Sequence, residues 1–146
     1  MFKHILVPLD GSKLAEAALP AAVSLAETLD APVTLLHIIE QDAPQEIHRD
    51  HHITQADEAS AYLEEIARRD FPAKVKVDIH VHTAAVKDIV DSIVEHATRE
   101  FRLDLIVMCT HGKSGIRELL YGSIAQQVVA QGVTPLLLIK PEAEVS

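Results

Sequence analysis

The sequence has no tryptophan, a single cysteine, and aromatic residues at only 3% of its 146 positions. One cysteine excludes an internal disulfide and fits a reducing compartment. With so few aromatics, a core has to be assembled from Ala, Val, Leu and Ile, the mixture of helices packed on a parallel sheet. Basic residues are also scarce: 13 Lys and Arg stand against 22 Asp and Glu, a formal charge of −9. Such a surface repels phosphate backbones, so no nucleic-acid partner is expected. Long hydrophobic runs are missing as well. Ile5 to Val7 is soon followed by Asp10, too short for a signal peptide, and no stretch approaches membrane-spanning length. The expectation is a soluble, cytoplasmic protein with no membrane partner.

What the chain does have is apolar residues at 48% of its positions. A chain of this size buries roughly 70% of the surface its unfolded form exposes, enough for an independent core. Internal repeats, low-complexity tracts and linkers are absent, so a single domain over residues 1–146 is expected.

Short apolar runs alternate with helical periodicity, strand first. Ile5-Leu6-Val7 reads as the first strand, ended by Pro8. A helix from Lys13 to Leu29 follows, capped by Ser12 and kinked at Pro20. Val33 to Ile39 is the second strand, and Glu40 to Ile53 reads as a mobile polar loop. Thr54 with Asp57 resembles a capping box for a helix presenting Ala59, Tyr62, Leu63 and Ile66. Val75, Val77, Ile79 and Val81 alternate with Lys76, Asp78, His80 and His82, so the third strand has one wet face and belongs at a sheet edge. Val86, Ile89, Val90, Ile93, Val94 and Ala97 follow at helical spacing. Leu105 to Cys109 is apolar on both faces and reads as a central strand. Ser123 and Gln126 form a capping box for a last helix ended by Gly132, and Leu136 to Ile139 is the fifth strand. Right-handed crossovers turn this order into an α/β fold: a five-stranded parallel, doubly wound sheet with helices on both faces.

In such a sheet, ligands sit beyond the carboxyl ends of the strands, where strand order reverses. Asp10-Gly11-Ser12 follows the first strand there, and Thr110 to Ser123 follows the fourth. Gly112, Gly115 and Gly122 let the backbone approach an anion closely, Ser123 opens a helix, and Lys113 and Arg117 carry full charges. The same features describe an ordinary glycine-containing connection with an N-cap, and spacing alone does not separate the two. Sharper motifs fail. Val107 stands where a Walker A loop needs its first glycine, no G-x-G-x-x-G follows the first strand, and Ile116 occupies the last glycine of a nucleophile elbow. No catalytic residue and no metal ligand is assigned. His48, His51 and His52 lie in a polar loop without a carboxylate or thiolate scaffold. His80 and His82 share a wet strand face, His37 reads as a core histidine, and His111 lies in the loop after the fourth strand.

At these residues the chain resembles the universal stress protein family, in its ATP-binding subgroup, over nearly its whole length. The opening Ile5-Leu6-Val7-Pro8-Leu9-Asp10-Gly11-Ser12, the second strand Leu35-Leu36-His37-Ile38, and the segment from Thr110-His111-Gly112 through Gly122-Ser123 to Pro135 carry the likeness. ATP-binding members have glycine, two residues, glycine, nine residues, then Gly-Ser or Gly-Thr; Gly112, nine residues and Gly122-Ser123 fit. The resemblance implies an adenine nucleotide alpha hydrolase-like fold. It also implies ATP, or ADP or another adenine nucleotide, accompanied by Mg or Mn. Gly112, Gly122, Ser123 and Ile124 would hold the phosphates with Cys109 and Lys113 beside them. Asp10 would hydrogen-bond the ribose, and Pro8, Ile38 and Met108 would flank the base, Ile38 through its backbone. The implied role is regulatory, in a stress response, with little or no hydrolysis and at most a slow ATPase. A homodimer through Leu136 to Ile139 is expected, since in the family's strand order that apolar strand is an edge.

Two positions depart from the family pattern. Cys109 replaces the motif's first glycine, which costs energy if that position needs positive φ and little if it is a strand end. Thr83 and Ala85 replace a frequent glycine and proline. The alternative reading is an interaction module of the same fold that binds no nucleotide because Cys109 closes the site. A receiver domain is disfavoured by His82-Thr83 where its phosphoacceptor aspartate should be, and a nucleotidyl transferase by missing catalytic motifs.

Overall fold

The computed structural model describes residues 2–11, 13, 15–40, 46–47, 50–51, 55–84, 91, 93, 105–109, 130–131 and 135–140. Seven strands and two full helices are assigned within them: β1 (Ile5–Pro8), α1 (Leu19–Leu29), β2 (Val33–Glu40), β3 (Glu46–Ile47), β4 (Asp50–His51), α2 (Ala56–Asp70), β5 (Val77–Ala84), β6 (Leu105–Cys109) and β7 (Leu136–Ile139). Asp91, Ile93, Ala130 and Gln131 are also helical, and Gln131 Nε2 donates to Asp91 Oδ1 at 2.9 Å.

The main sheet has the order β5-β2-β1-β6-β7, and every neighbouring pair in it is parallel. β1 lies at the centre, and the chain first builds outward on the β2 side and then on the β6 side. Strand order therefore reverses between β1 and β6, which defines a doubly wound α/β sheet of the adenine nucleotide alpha hydrolase-like kind.

Residue parity sorts the core. The odd positions Ile5, Val7, Leu9, Val33, Leu35, Leu105, Val107 and Cys109 form one buried cluster with Leu19, Ala22 and Ala26 of α1 and Leu63 and Ile66 of α2. Side chains alternate across a strand, so the even positions Leu6, Thr34, Leu36, Ile106 and Met108 face the other way. They too are buried, which places a covering layer on both faces. β5 is the wet edge that its alternation predicts, with Asp78 and His82 exposed and Ile79 and Val81 packed against the core. It starts at Val77 rather than Val75 and runs to Ala84.

Three local expectations are corrected. The segment after β1 is not one kinked helix: Ala15–Ala18 form a single 3₁₀ turn, and α1 starts only at Leu19. Pro20 falls in the first turn of α1, where a backbone N–H would lack an intrahelical partner, so the proline fits without a kink. Second, α2 begins at Ala56 with Gln55 as its N-cap and no side-chain cap there, so the cap does not fall at position 54; Thr54 itself lies outside the described residues. Acidic Asp57 and Glu58 still favour the helix start through its dipole. Third, the polar stretch after β2 contains a small antiparallel ladder, Glu46 opposite His51 and Ile47 opposite Asp50. Ser12, most of the expected helix over residues 86–97, and the Ser123–Gln126 cap lie outside the described residues.

Candidate functional site

The crevice expected at the strand reversal has a cause in the sequence. Ile5 N–H donates to Pro32 O at 3.0 Å and Leu9 N–H to Leu36 O at 2.8 Å, so the odd residues of β1 bond toward β2. Leu6 and Pro8 therefore bond toward β6. Pro8 has no N–H to donate, and the β1–β6 ladder registers only Ile5 with Leu105 and Leu6 with Ile106. On the other side, β1 stays paired with β2 through Pro8 opposite Leu36. A proline thus ends the ladder at the reversal point, while β6 continues to Cys109 against β7.

The register decides what lines this place. Pro8 is opposite Leu36, and Ile38 lies two residues further on the same face of β2. Leu6 is opposite Ile106, so Pro8 and Met108, each two residues on, share that face as well. Three apolar side chains from three adjacent strands therefore meet on one face at the carboxyl end of the sheet. Pro8 and Met108 are buried and Ile38 is half-buried.

Beyond β1 the chain turns. Leu9 is buried, Asp10 is half-buried, and Gly11 has φ of 90°, a region that glycine enters without steric cost. His37 Nδ1 lies 2.8 Å from the Leu9 carbonyl oxygen. A carbonyl only accepts, so Nδ1 carries the proton.

Cys109 is the last residue of β6 and is 2% exposed. Among the described residues only Asp30, at the end of α1, is a non-glycine with positive φ. The cysteine therefore sits at a strand end without backbone strain, and nothing in its conformation calls for glycine. Its Sγ is 3.6 Å from Ala15 O, on the α1 side of the sheet and within the core cluster. Burial pushes the thiol up to about 11; the Asp10 charge adds to this, and a backbone hydrogen bond at Ala18 opposes it. At neutral pH it is a protonated, inert thiol.

The turn is tied to α2 by contacts that the sequence does not announce. Tyr62 Oη donates to Glu16 Oε2 at 2.9 Å, and Arg69 Nη2 donates to Glu16 Oε1 at 2.8 Å and to Asp70 Oδ2 at 2.8 Å. Burial, together with the Glu16 charge and hydrogen bond, raises the Tyr62 phenol well above its ordinary range. Helical spacing identifies Tyr62 as a core-facing residue, but its hydroxyl partner is 46 positions away. A groove of about 730 Å³ beside this cluster is lined by Lys13, Glu16, Ser24, Thr28, Arg69 and Asp70, away from the crevice. Its arginine is already engaged by two carboxylates.

Of the residues singled out in the sequence, the structure brings Pro8, Asp10, Ile38, Met108 and Cys109 to the carboxyl ends of β1, β2 and β6. Gly112, Lys113, Gly122, Ser123 and Ile124 lie outside the described residues, as do His48, His52 and His111. Among the described residues no cluster of three His, Cys, Asp or Glu side chains could hold a metal ion, and no helix is long and apolar enough to cross a membrane.

The model of the universal stress protein family matches residues 1–140. Universal stress protein MJ0531 of Methanocaldococcus jannaschii is 26% identical over 149 residues, covering 96% of this chain and 83% of that one. A universal stress protein solved in complex with cAMP aligns with a TM-score of 0.66 at 20% identity, covering 97% of this chain and 98% of its own. The universal stress protein from Archaeoglobus fulgidus in complex with dAMP aligns with a TM-score of 0.60 at 24% identity, covering 94% and 98%. At those identities the two structures speak for the fold, while the family model reads the sequence itself. The chain belongs to the universal stress protein family.

Proposed function

We propose that this protein binds an adenine nucleotide, ATP with Mg or Mn, at the carboxyl ends of β1, β2 and β6, and acts as a regulatory stress-response protein with little or no hydrolysis. The observation that carries the reading is the shared apolar face of Pro8, Ile38 and Met108 beside a ladder that Pro8 ends. A flat, apolar base needs such a face, and the half-buried Asp10 beside it suits a ribose hydroxyl. Two relatives of this fold were solved with cAMP and dAMP, ligands that share the adenine base. Gly112, Gly122, Ser123 and Ile124, with Lys113, take the phosphates in this reading through backbone N–H groups and one cation. The cation bound with the phosphates would neutralise their charge.

The alternative, an interaction module closed by Cys109, requires the sulfur to occupy the crevice. Its contact with Ala15 O on the opposite side of the strand argues against that. The second partner in the reading is another copy of this chain. β7 is the last strand of the sheet, and Leu137 and Leu138 on it are 36% and 37% exposed. A four-residue apolar edge of this kind favours pairing with its symmetry mate.

The test is to denature the purified protein, identify any small molecule released, and titrate the nucleotide-free protein with ATP and magnesium. Adenine nucleotide in the extract, or saturable binding, is the expected result. Neither being found ends the proposal.

A further inference from the structure

We infer that His37 is a positioning residue for this site: its imidazole caps the β1–β2 ladder and keeps the main chain of Ile38 available to a ligand. The inference rests on the nucleotide reading above.

In a regular parallel ladder, each residue facing its neighbour donates to the carbonyl before its partner and accepts from the N–H after it. Ile5 follows that rule, opposite Val33 and donating to Pro32 O. Leu9 follows half of it. Its N–H donates to Leu36 O at 2.8 Å, and the next bond of the series would run from Ile38 N–H to Leu9 O. That carbonyl is taken instead by His37 Nδ1 at 2.8 Å. No backbone hydrogen bond joins Ile38 to Leu9 among the described residues.

Parity fixes where Ile38 then points. Leu36 presents its carbonyl to the β1 side, and Ile38, two residues on, presents both N–H and C=O to that same side. β2 runs on to Glu40, four residues past Leu36, where β1 ends its pairing, so these groups lie beyond the paired part of β1. One donor and one acceptor from a single residue match the hydrogen-bonding edge of an adenine ring. The same side-chain bond holds Leu9 from its carbonyl end, immediately before Asp10. His37 is 1% exposed, so its bond competes with little solvent and its rotamer is held by packing. It therefore sets the main chain that meets the base and the turn that carries Asp10.

The discriminating variants are His37→Leu, which fills space without a donor, and His37→Asn, whose side-chain N–H reproduces the donor at Nδ1. In the nucleotide-free wild type, the Ile38 amide should exchange rapidly with deuterium for a residue within a sheet. In His37→Leu it should become protected as it falls onto the vacant Leu9 carbonyl, a change opposite to that of simple destabilisation. Binding of ATP with magnesium should weaken about tenfold in His37→Leu and stay within about threefold of wild type in His37→Asn. The preference for ATP over GTP should shrink in the leucine variant alone. Wild-type affinity in His37→Leu, or an Ile38 amide already protected in the wild type, overturns the inference and leaves the nucleotide reading intact. A wild type that binds no ATP overturns both.

Discussion

Replacing Cys109 by glycine puts in place the residue that the motif pattern in the sequence calls for, and the conformation at this position gives glycine no advantage. If glycine were needed for backbone conformation, the variant would gain nucleotide affinity. Cys109 ends a strand without positive φ, and its sulfur points into the α1 side of the core. Affinity for ATP with magnesium should therefore stay within about twofold of wild type. Stability should fall instead. The variant removes one buried methylene and a thiol, and places glycine in a strand, together costing about 2 kcal/mol. For a chain of 146 residues that corresponds to a melting-point drop of about 6 °C. Cys109→Ala keeps the Cβ and should lose about half as much. Calorimetric titration and thermal unfolding of the two variants read both quantities. A tenfold gain in affinity for Cys109→Gly, or an unchanged melting point, would refute this account of the position.

Further outcomes follow from other contacts. Native Cys109 should resist thiol reagents at pH 8 and react on unfolding, because burial raises its folded value from 9.0 to about 11. The sign is that of a raised group: the stability it contributes is complete below pH 9 and lost as pH climbs toward 11, which denaturant midpoints at pH 8, 9.5 and 11 would reveal; fast native labelling at pH 8 contradicts the burial. Tyr62→Phe removes the donor to Glu16 and should cost about 1–2 kcal/mol in urea unfolding, since the phenol bonds a charged acceptor. An unchanged midpoint would show that the link between the 3₁₀ turn and α2 carries no stability. Leu138→Lys places a charge on the exposed edge of β7 and should convert the proposed dimer to monomer by light scattering at micromolar concentration. A dimer persisting in that variant would move the interface elsewhere.

Residue order alone determined the succession of the sheet strands, the wet edge of β5, and the limits of β6 and β7, because side-chain period and apolar runs are local properties. It also marked Pro8, Asp10, Met108 and Cys109 at strand ends, and the family resemblance added Ile38. The helix starts were misplaced for a local reason too. A first-turn proline and an uncapped N-terminus look, in one dimension, like an interior kink and a nearby capping pair. Tertiary structure decided the rest. Whether a cysteine at position 109 obstructs anything depends on which face of β6 it takes and on Ala15, 94 residues away. That Pro8 ends the β1–β6 ladder depends on which neighbour its missing N–H would have addressed. The role of His37 is invisible without Leu9, 28 residues earlier, brought to 2.8 Å. A hydrogen bond acts over a few ångströms of space and is indifferent to distance along the chain, so contacts of this kind are settled only when the sheet has formed.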